Sequence, residues 1–298
     1  MTDLQLGLLV VGAAVVAVVL VYNRAQERKV QREVQRAFGS GGRADALLDE
    51  RPHHFIEKPV HQPVPPADGI PDPRVDYTVE LEIARGTLSA TVLENWKPLE
   101  HRFGPRALLS GNDGDGWRRV VAGDVRSLTA LRAALQMVSR TGVVSEAELL
   151  EFRSTVETVG AALGAQMAAP EMREALEQAR ELDAFCSDHD IQVALHVPGS
   201  RVEAFEGDHP FAVEPSDDGA SLILDMPRTA QPARVFEAMA RVARQAADAS
   251  GGRVVDNNGN ALDERALRAI EVELEAVRAR LVAAGIEPGS ELALRLFS

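Results

Sequence analysis

The stretch Cys-Ser-Asp-His-Asp, Cys186 to Asp190, sets a thiol, an imidazole and carboxylates side by side. Those types could supply a nucleophile and its base. A cysteine nucleophile, however, needs the base and an oxyanion site brought to it by the fold. This cluster falls where a helical pattern hands over to a strand, so it reads as a polar turn beside a small buried cysteine. A second group, Asp-Asn-Asn-Gly-Asn at Asp256 to Asn260, is rich in oxygen ligands but lacks the alternating spacing and closing glutamate of a calcium loop. Asn-Gly tolerates positive φ at both residues, which makes this a turn. A third group, His53, His54 and His61, lies in a proline-rich stretch with no cysteine near it, and reads as solvated imidazoles rather than metal ligands. No phosphate loop, dinucleotide fingerprint, zinc-protease helix or nucleophile elbow occurs. The residues point to no catalytic, cofactor or metal site, and hence to a protein that is not an enzyme. Trp96 and Trp117 read as core or rim residues.

The elements around these residues begin with an apolar run. Leu4 to Tyr22 carries no charge and has Gln5 as its strongly polar member; about 20 such residues span a bilayer as a helix. Only Met1, Thr2 and Asp3 precede it and no small-residue cleavage site follows, so residues 1–22 are expected to be an uncleaved transmembrane anchor. Arg24, Arg28, Lys29, Arg32 and Arg36 all follow the run, which predicts an N-terminus outside and the remainder in the cytoplasm, a single-pass inner-membrane placement. The lone Cys186 suits that compartment.

Residues 23–75 read as basic juxtamembrane turns followed by a flexible linker, with Pro52, Pro59, Pro63, Pro65, Pro66, Pro71 and Pro73 and little apolar periodicity. The whole chain has 32 Lys and Arg against 45 Asp and Glu, a net charge of −13. Such a field repels a phosphate backbone and excludes nucleic acid as an expected partner.

From Asp76 onward the pattern repeats. Tyr77, Val79, Leu81 and Ile83 alternate with polar residues, as do Ile191, Val193, Leu195 and Val197; each set predicts a half-buried strand. Each half then reaches a second apolar strand, at Leu131 to Val138 and Ser221 to Pro227, and a helix. Ser145 and Glu148 form a capping box for the first helix, whose stripe is Leu149, Phe152, Val156, Val159 and Leu163. The second helix has Val235, Phe236, Met239, Val242, Ala243 and Ala246, with Gly251 and Gly252 as its stop. A further helix closes each half, near Pro170 to Phe185 and Asp263 to Ala284. The fold class expected is α+β: an N-terminal transmembrane helix, a flexible linker and tandem split-βαβ units, each an antiparallel sheet with helices on one face. The units are bounded at residues 76–187 and 188–298, the second being shorter between its strands.

The order of anchor, proline-rich tether and terminal domain resembles the ZipA-type FtsZ-binding division proteins. The closest likeness runs from "LILDMPR" at Leu222 through "FEAMARVARQAADASGGRVVDNNGN" and the helix after it, together with "FCSDHDIQVALHV" at Phe185 to Val197. The resemblance implies a bitopic inner-membrane adaptor that takes the C-terminal tail of FtsZ on the open face of its sheet and tethers the Z-ring to the lipid bilayer through residues 4–22. If helices cover Val193, Leu195, Leu222 and Leu224, the open face carries Ala194, Ile223, Gln192, His196 and Asp225, the candidate partner-binding residues, with Ser221 among them. The corresponding face of the first unit would carry Thr78, Glu80, Glu82 and Gln136. A scaffold that self-associates through sheet edges, or binds another division protein, is the alternative.

Overall fold

A computed structural model describes residues 61, 64–205, 207, 209–216 and 218–298. The alternation at Tyr77 to Ile83 builds strand β1 (Asp76–Leu88), followed by helix α1 (Ser89–Phe103), strands β2 (Ala107–Asn112), β3 (Trp117–Arg119) and β4 (Ser127–Gln136), and a small hairpin of β5 (Val138–Ser139) and β6 (Gly142–Val143). Helix α2 (Glu146–Leu163), strand β7 (Ala165–Ala168) and helix α3 (Met172–His189) complete the first half. The second half contains β8 (Gln192–Pro198), β9 (Ala212–Ser216), β10 (Gly219–Asp225), α4 (Pro232–Ser250), α5 (Glu264–Ala283) and the short α6 (Glu291–Leu296).

The first sheet runs β3-β2-β4-β1-β7 and the second β8-β10-β9, with every pairing antiparallel. Val255 adds a single bridge to the outer edge of β8, opposite His196. The two halves therefore share one order: β2, β4, β1 and β7 answer to β9, β10, β8 and the Val255 bridge. The second half has a 3-10 turn at Val202–Phe205 where the first has α1, and among the described residues it has no counterpart of β3. The sheets are separate, yet both lie within one compact unit.

Period-two patterning decides which side of each sheet is covered. Tyr77, Val79 and Leu81 pair across β4 with Leu135, Ala133 and Leu131, and pack with Val92, Trp96 and Leu99 of α1 and Leu149, Phe152 and Val156 of α2. In the second sheet, Leu195, Leu222 and Leu224 meet Phe236, Met239 and Ala243 of α4 and Leu267, Leu274 and Val277 of α5. Helix ends are set locally: Ser145 Oγ accepts from Glu148 N at 3.2 Å, Asp263 Oδ1 accepts from Ala266 N at 2.7 Å, and Gly164 and Gly251 close α2 and α4 in the left-handed conformation.

The membrane-spanning architecture is corrected. Among the described residues no helix is long and apolar enough to cross a membrane; α5, with 20 residues, has the length but carries Glu and Arg along its course. What the structure supports is an α+β fold of sheets and helices. The bitopic tether, the bilayer contact through residues 4–22 and the single-pass inner-membrane placement fall with that finding. The run Leu4 to Tyr22 and the basic turns after it lie outside the described residues.

Between Val64 and Val75 the proline-rich arm is fastened to the fold. Ala67 N donates to a carboxylate oxygen of Glu291, Asp68 O accepts from Arg119 N at 3.3 Å, and Arg74 Nη1 donates to Gly285 O at 3.1 Å. Gly69 makes this crossing possible. It turns with φ +69°, and a Cβ there would fall 2.4 Å from Arg119 Cβ.

Candidate functional site

In the second sheet, register places the expected residues on one side. Ile223 lies opposite Ala194 on β8 and Ala212 on β9, Ser221 opposite His196 and Glu214, and Asp225 opposite Gln192. Directly opposed residues share a face, so Ala194, Ile223, Gln192, His196 and Asp225 all lie on the helix-free side. Val255 joins them through its bridge to His196, with backbone hydrogen bonds of 2.9 Å in both directions. The apolar centre is Ile223, Ala194, Val255 and Ala212. The sequence signal for Val255 was the apolar pair after Gly251 and Gly252, which only a bridged register turns toward this face.

The polar members are already engaged. His196 Nδ1 lies 2.7 Å from Ser221 Oγ and its Nε2 lies 2.8 Å from Asn257 Oδ1. The Asn257 carbonyl can only accept, so Nε2 carries the proton and the Ser221 hydroxyl donates to Nδ1. Asn257 is presented by the turn at Asp256, whose carboxylate accepts from Asn258 N and Asn260 N at 2.8 Å each. Buried Ser221 and His196 thus form a chain across two strands that ends on the exposed turn residue Asn257, and it stiffens the face without exposing a nucleophile.

Asp225 is held from the first half of the chain. Arg140, in the β5–β6 turn, donates from Nη1 and Nη2 to its two carboxylate oxygens at 2.8 and 2.9 Å, and from Nη2 to Asp190 at 2.8 Å. Burial opposes the Arg140 charge, but the two aspartates outweigh it and its pKa is raised. Arg228, three residues beyond Asp225, donates to Leu294 O at 2.8 Å and Phe297 O at 3.0 Å. Burial lowers its pKa, with Asp225 opposing and Arg140 adding to the fall. Nothing in local sequence linked Arg140 or Arg228 to this face.

The remaining groups singled out by type do not converge. Cys186 is buried, and burial, then Asp183 and Asp190, push its thiol up to about 12. His189 turns back to Phe185, its Nδ1 donating to the carbonyl at 2.7 Å and its ring stacked 4.3 Å away. In the first sheet the expected open face is closed at one end. Gln136 is 2% exposed and donates to Arg295 O at 2.9 Å, because α6 packs there. Trp117 stacks on the Arg132 guanidinium at 4.0 Å, and Arg132 also pairs with Glu80 at 2.9 Å. His53 and His54 lie outside the described residues.

The comparison with protein families falls on the stretch that builds the second face. Residues 212–273 match the family of the ZipA C-terminal FtsZ-binding domain. This ZipA-like segment takes in β9, β10, α4, the Val255 bridge, the Asp256 turn and the first half of α5. It supplies Ile223, Ser221, Asp225 and Val255, whereas Ala194, His196 and Gln192 on β8 lie outside it. The ZipA domain is a binding and scaffolding domain without catalytic activity, in keeping with a chain that is not an enzyme. Among curated proteins there is no match.

Proposed function

We propose that the described domain is a non-catalytic FtsZ-binding module that takes an extended or helical segment of its partner on the helix-free face of the second sheet. The observation that carries this reading is the coincidence of the ZipA-like segment with the strands and bridge that build that face. Ile223 is the anchor, with Ala194, Val255 and Ala212 around it; Gln192, His196 and Asp225 form the polar margin. Ile223 and Val255 are only 6% and 7% exposed, so a partner meets this row chiefly over the half-buried Ala194 and the exposed Ala212; each large apolar group that the partner buries there contributes about 1.5–3 kcal/mol, and a few such contacts make a micromolar interaction after the cost of association.

The test is a fluorescence-anisotropy titration of a labelled FtsZ C-terminal tail peptide with the full chain. Saturable binding that is lost in Ile223→Asp and weakened in the exposed-rim variant Ala212→Arg supports the site. Saturable binding unchanged in both variants moves the partner off this face, and no binding at millimolar protein removes the FtsZ reading.

A further inference from the structure

Among the described residues the five-stranded and three-stranded sheets end in β3, β7, β8 and β9, and three of these edges are closed. At β3 the outward amide of Arg119 is taken by Asp68 O at 3.3 Å, and Arg118 and Arg119 put charge on the strand. At β8 the outward groups of His196 are taken by Val255, which is itself bridged to Ala261. Edge strand β9 carries Glu214 and Pro215, and a proline has no amide to give. Cover, charge and proline are the usual ways of keeping a sheet edge from pairing. The remaining edge, β7, reads Ala-Gln-Met-Ala and has neither charge nor proline.

Which backbone groups of β7 point outward follows from the register. Met137 N donates to Val75 O at 2.8 Å, so this opposed pair, and every second pair after it along β1 and β4, is of the hydrogen-bonded kind. Tyr77, Val79 and Leu81 therefore turn their amides and carbonyls to β4. Glu80 and Glu82 turn theirs to β7, where they meet Ala168 and Gln166. The N–H and C=O groups of Ala165 and Met167, and of Ala169 next along, are left pointing away from the sheet, with no hydrogen-bond partner among the described residues.

We propose that this edge pairs with the same edge of a second copy of the chain, antiparallel about a two-fold axis at Met167. Met167 then exchanges two hydrogen bonds with Met167 of the second copy, and Ala165 of each copy does so with Ala169 of the other. The side chains agree with that register. Met167 stands opposite Leu81 on the helix-covered side, while the exposed Gln166 and Ala168 stand opposite Glu82 and Glu80 on the bare side. Across the axis Gln166 meets Ala168, so no like charges are opposed, and the helices of both copies lie on one side of a continuous sheet. The second copy is favoured over an unrelated strand because the edge is complementary to itself. So short an interface makes a dimer that dissociates on dilution. Such a dimer carries two of the helix-free faces described above, and holds a partner with two binding segments more firmly than one copy does.

The experiment traps the pair in the full chain. Residues opposed in a hydrogen-bonded antiparallel pair have Cα atoms about 5.5 Å apart, within reach of a disulfide, so Met167→Cys treated with diamide should form a covalent dimer. Gln166→Cys should not, because its counterpart in the second copy lies two positions along from the residue it faces, beyond disulfide reach. Cys186 is buried in both variants. A third form adds Gln166→Lys and Ala168→Lys to Met167→Cys. Within a chain each of these lysines faces a glutamate of β1, so the circular dichroism of the fold should be kept; across the axis each faces a lysine, so the covalent dimer should be lost. Equal cross-linking of Met167→Cys and Gln166→Cys, a covalent dimer that survives the two lysines, or none from Met167→Cys would overturn the pairing.

Discussion

Arg295, on the last helix, donates from both terminal nitrogens to the carboxylate of Asp76, the first residue of β1, with Nη1 3.0 Å from Oδ2. The side chains are 3% and 0% exposed, so the start of the first half and the end of the second are joined by a desolvated ion pair. Gln136 completes it, its Oε1 accepting from Arg295 Nε at 3.3 Å. Burial pushes the Asp76 carboxyl above its ordinary range while Arg295 pulls it back. The pair is expensive to form and more expensive to break. Asp76→Asn should therefore cost about 3–5 kcal/mol in urea unfolding, by leaving a buried guanidinium without its counter-charge. Replacing both partners by apolar residues, Asp76→Leu with Arg295→Met, should recover most of that loss. A single variant as stable as the unaltered chain would mean that Arg295 finds water or another anion.

Arg140 is the second such bond, running from the β5–β6 turn to Asp225 and Asp190. Arg140→Ala strands two carboxylates that are themselves largely covered, and should cost about 3 kcal/mol. The two losses should add within the error of the measurement if the ion pairs are independent, which a double-variant cycle with Asp76→Asn checks.

Cys186 should be unreactive in the folded chain. Its thiol, pushed up to about 12, leaves roughly one-thousandth of the thiolate that an unperturbed cysteine has at neutral pH. Alkylation by iodoacetamide should proceed only through unfolding and accelerate in step with added urea. Fast labelling in native buffer would contradict the burial.

For the partner face, Ile223→Asp should reduce peptide affinity at least tenfold by placing a carboxylate among apolar groups. Ala212→Arg should reduce it less, since Ala212 is exposed at the β9 end of the same row. Equal losses would place the centre of the site nearer β9.

Much of the scaffold was written in short-range pattern. The alternations at Tyr77 to Ile83 and Ile191 to Val197, the Ser145 cap, the glycine stop at Gly251 and the turn at Asp256 are each decided by neighbours within a few residues, where sterics and hydrogen-bond geometry leave few choices. Elements too short to show a period escaped: the strand Ala165–Ala168, the β5–β6 hairpin and the six-residue α6. Missing α6 is what made the face around Gln136 look open, and missing the hairpin hid the grip of Arg140 on Asp225.

The sequence by itself determined the α+β class of the folded part, the absence of any enzyme motif and the likeness to the ZipA domain, because these rest on periodicity and local motifs. It placed Ala194 and Ile223 on a common face, since side chains alternate along strands. The tertiary structure alone decided what that face is made of and what stands at its end. Val255 and Asn257 reach it from a turn, and Arg140 grips Asp225 from 85 residues away in the chain. Contacts at that separation leave no periodic trace, because they are fixed by how whole elements pack and where buried charges find partners.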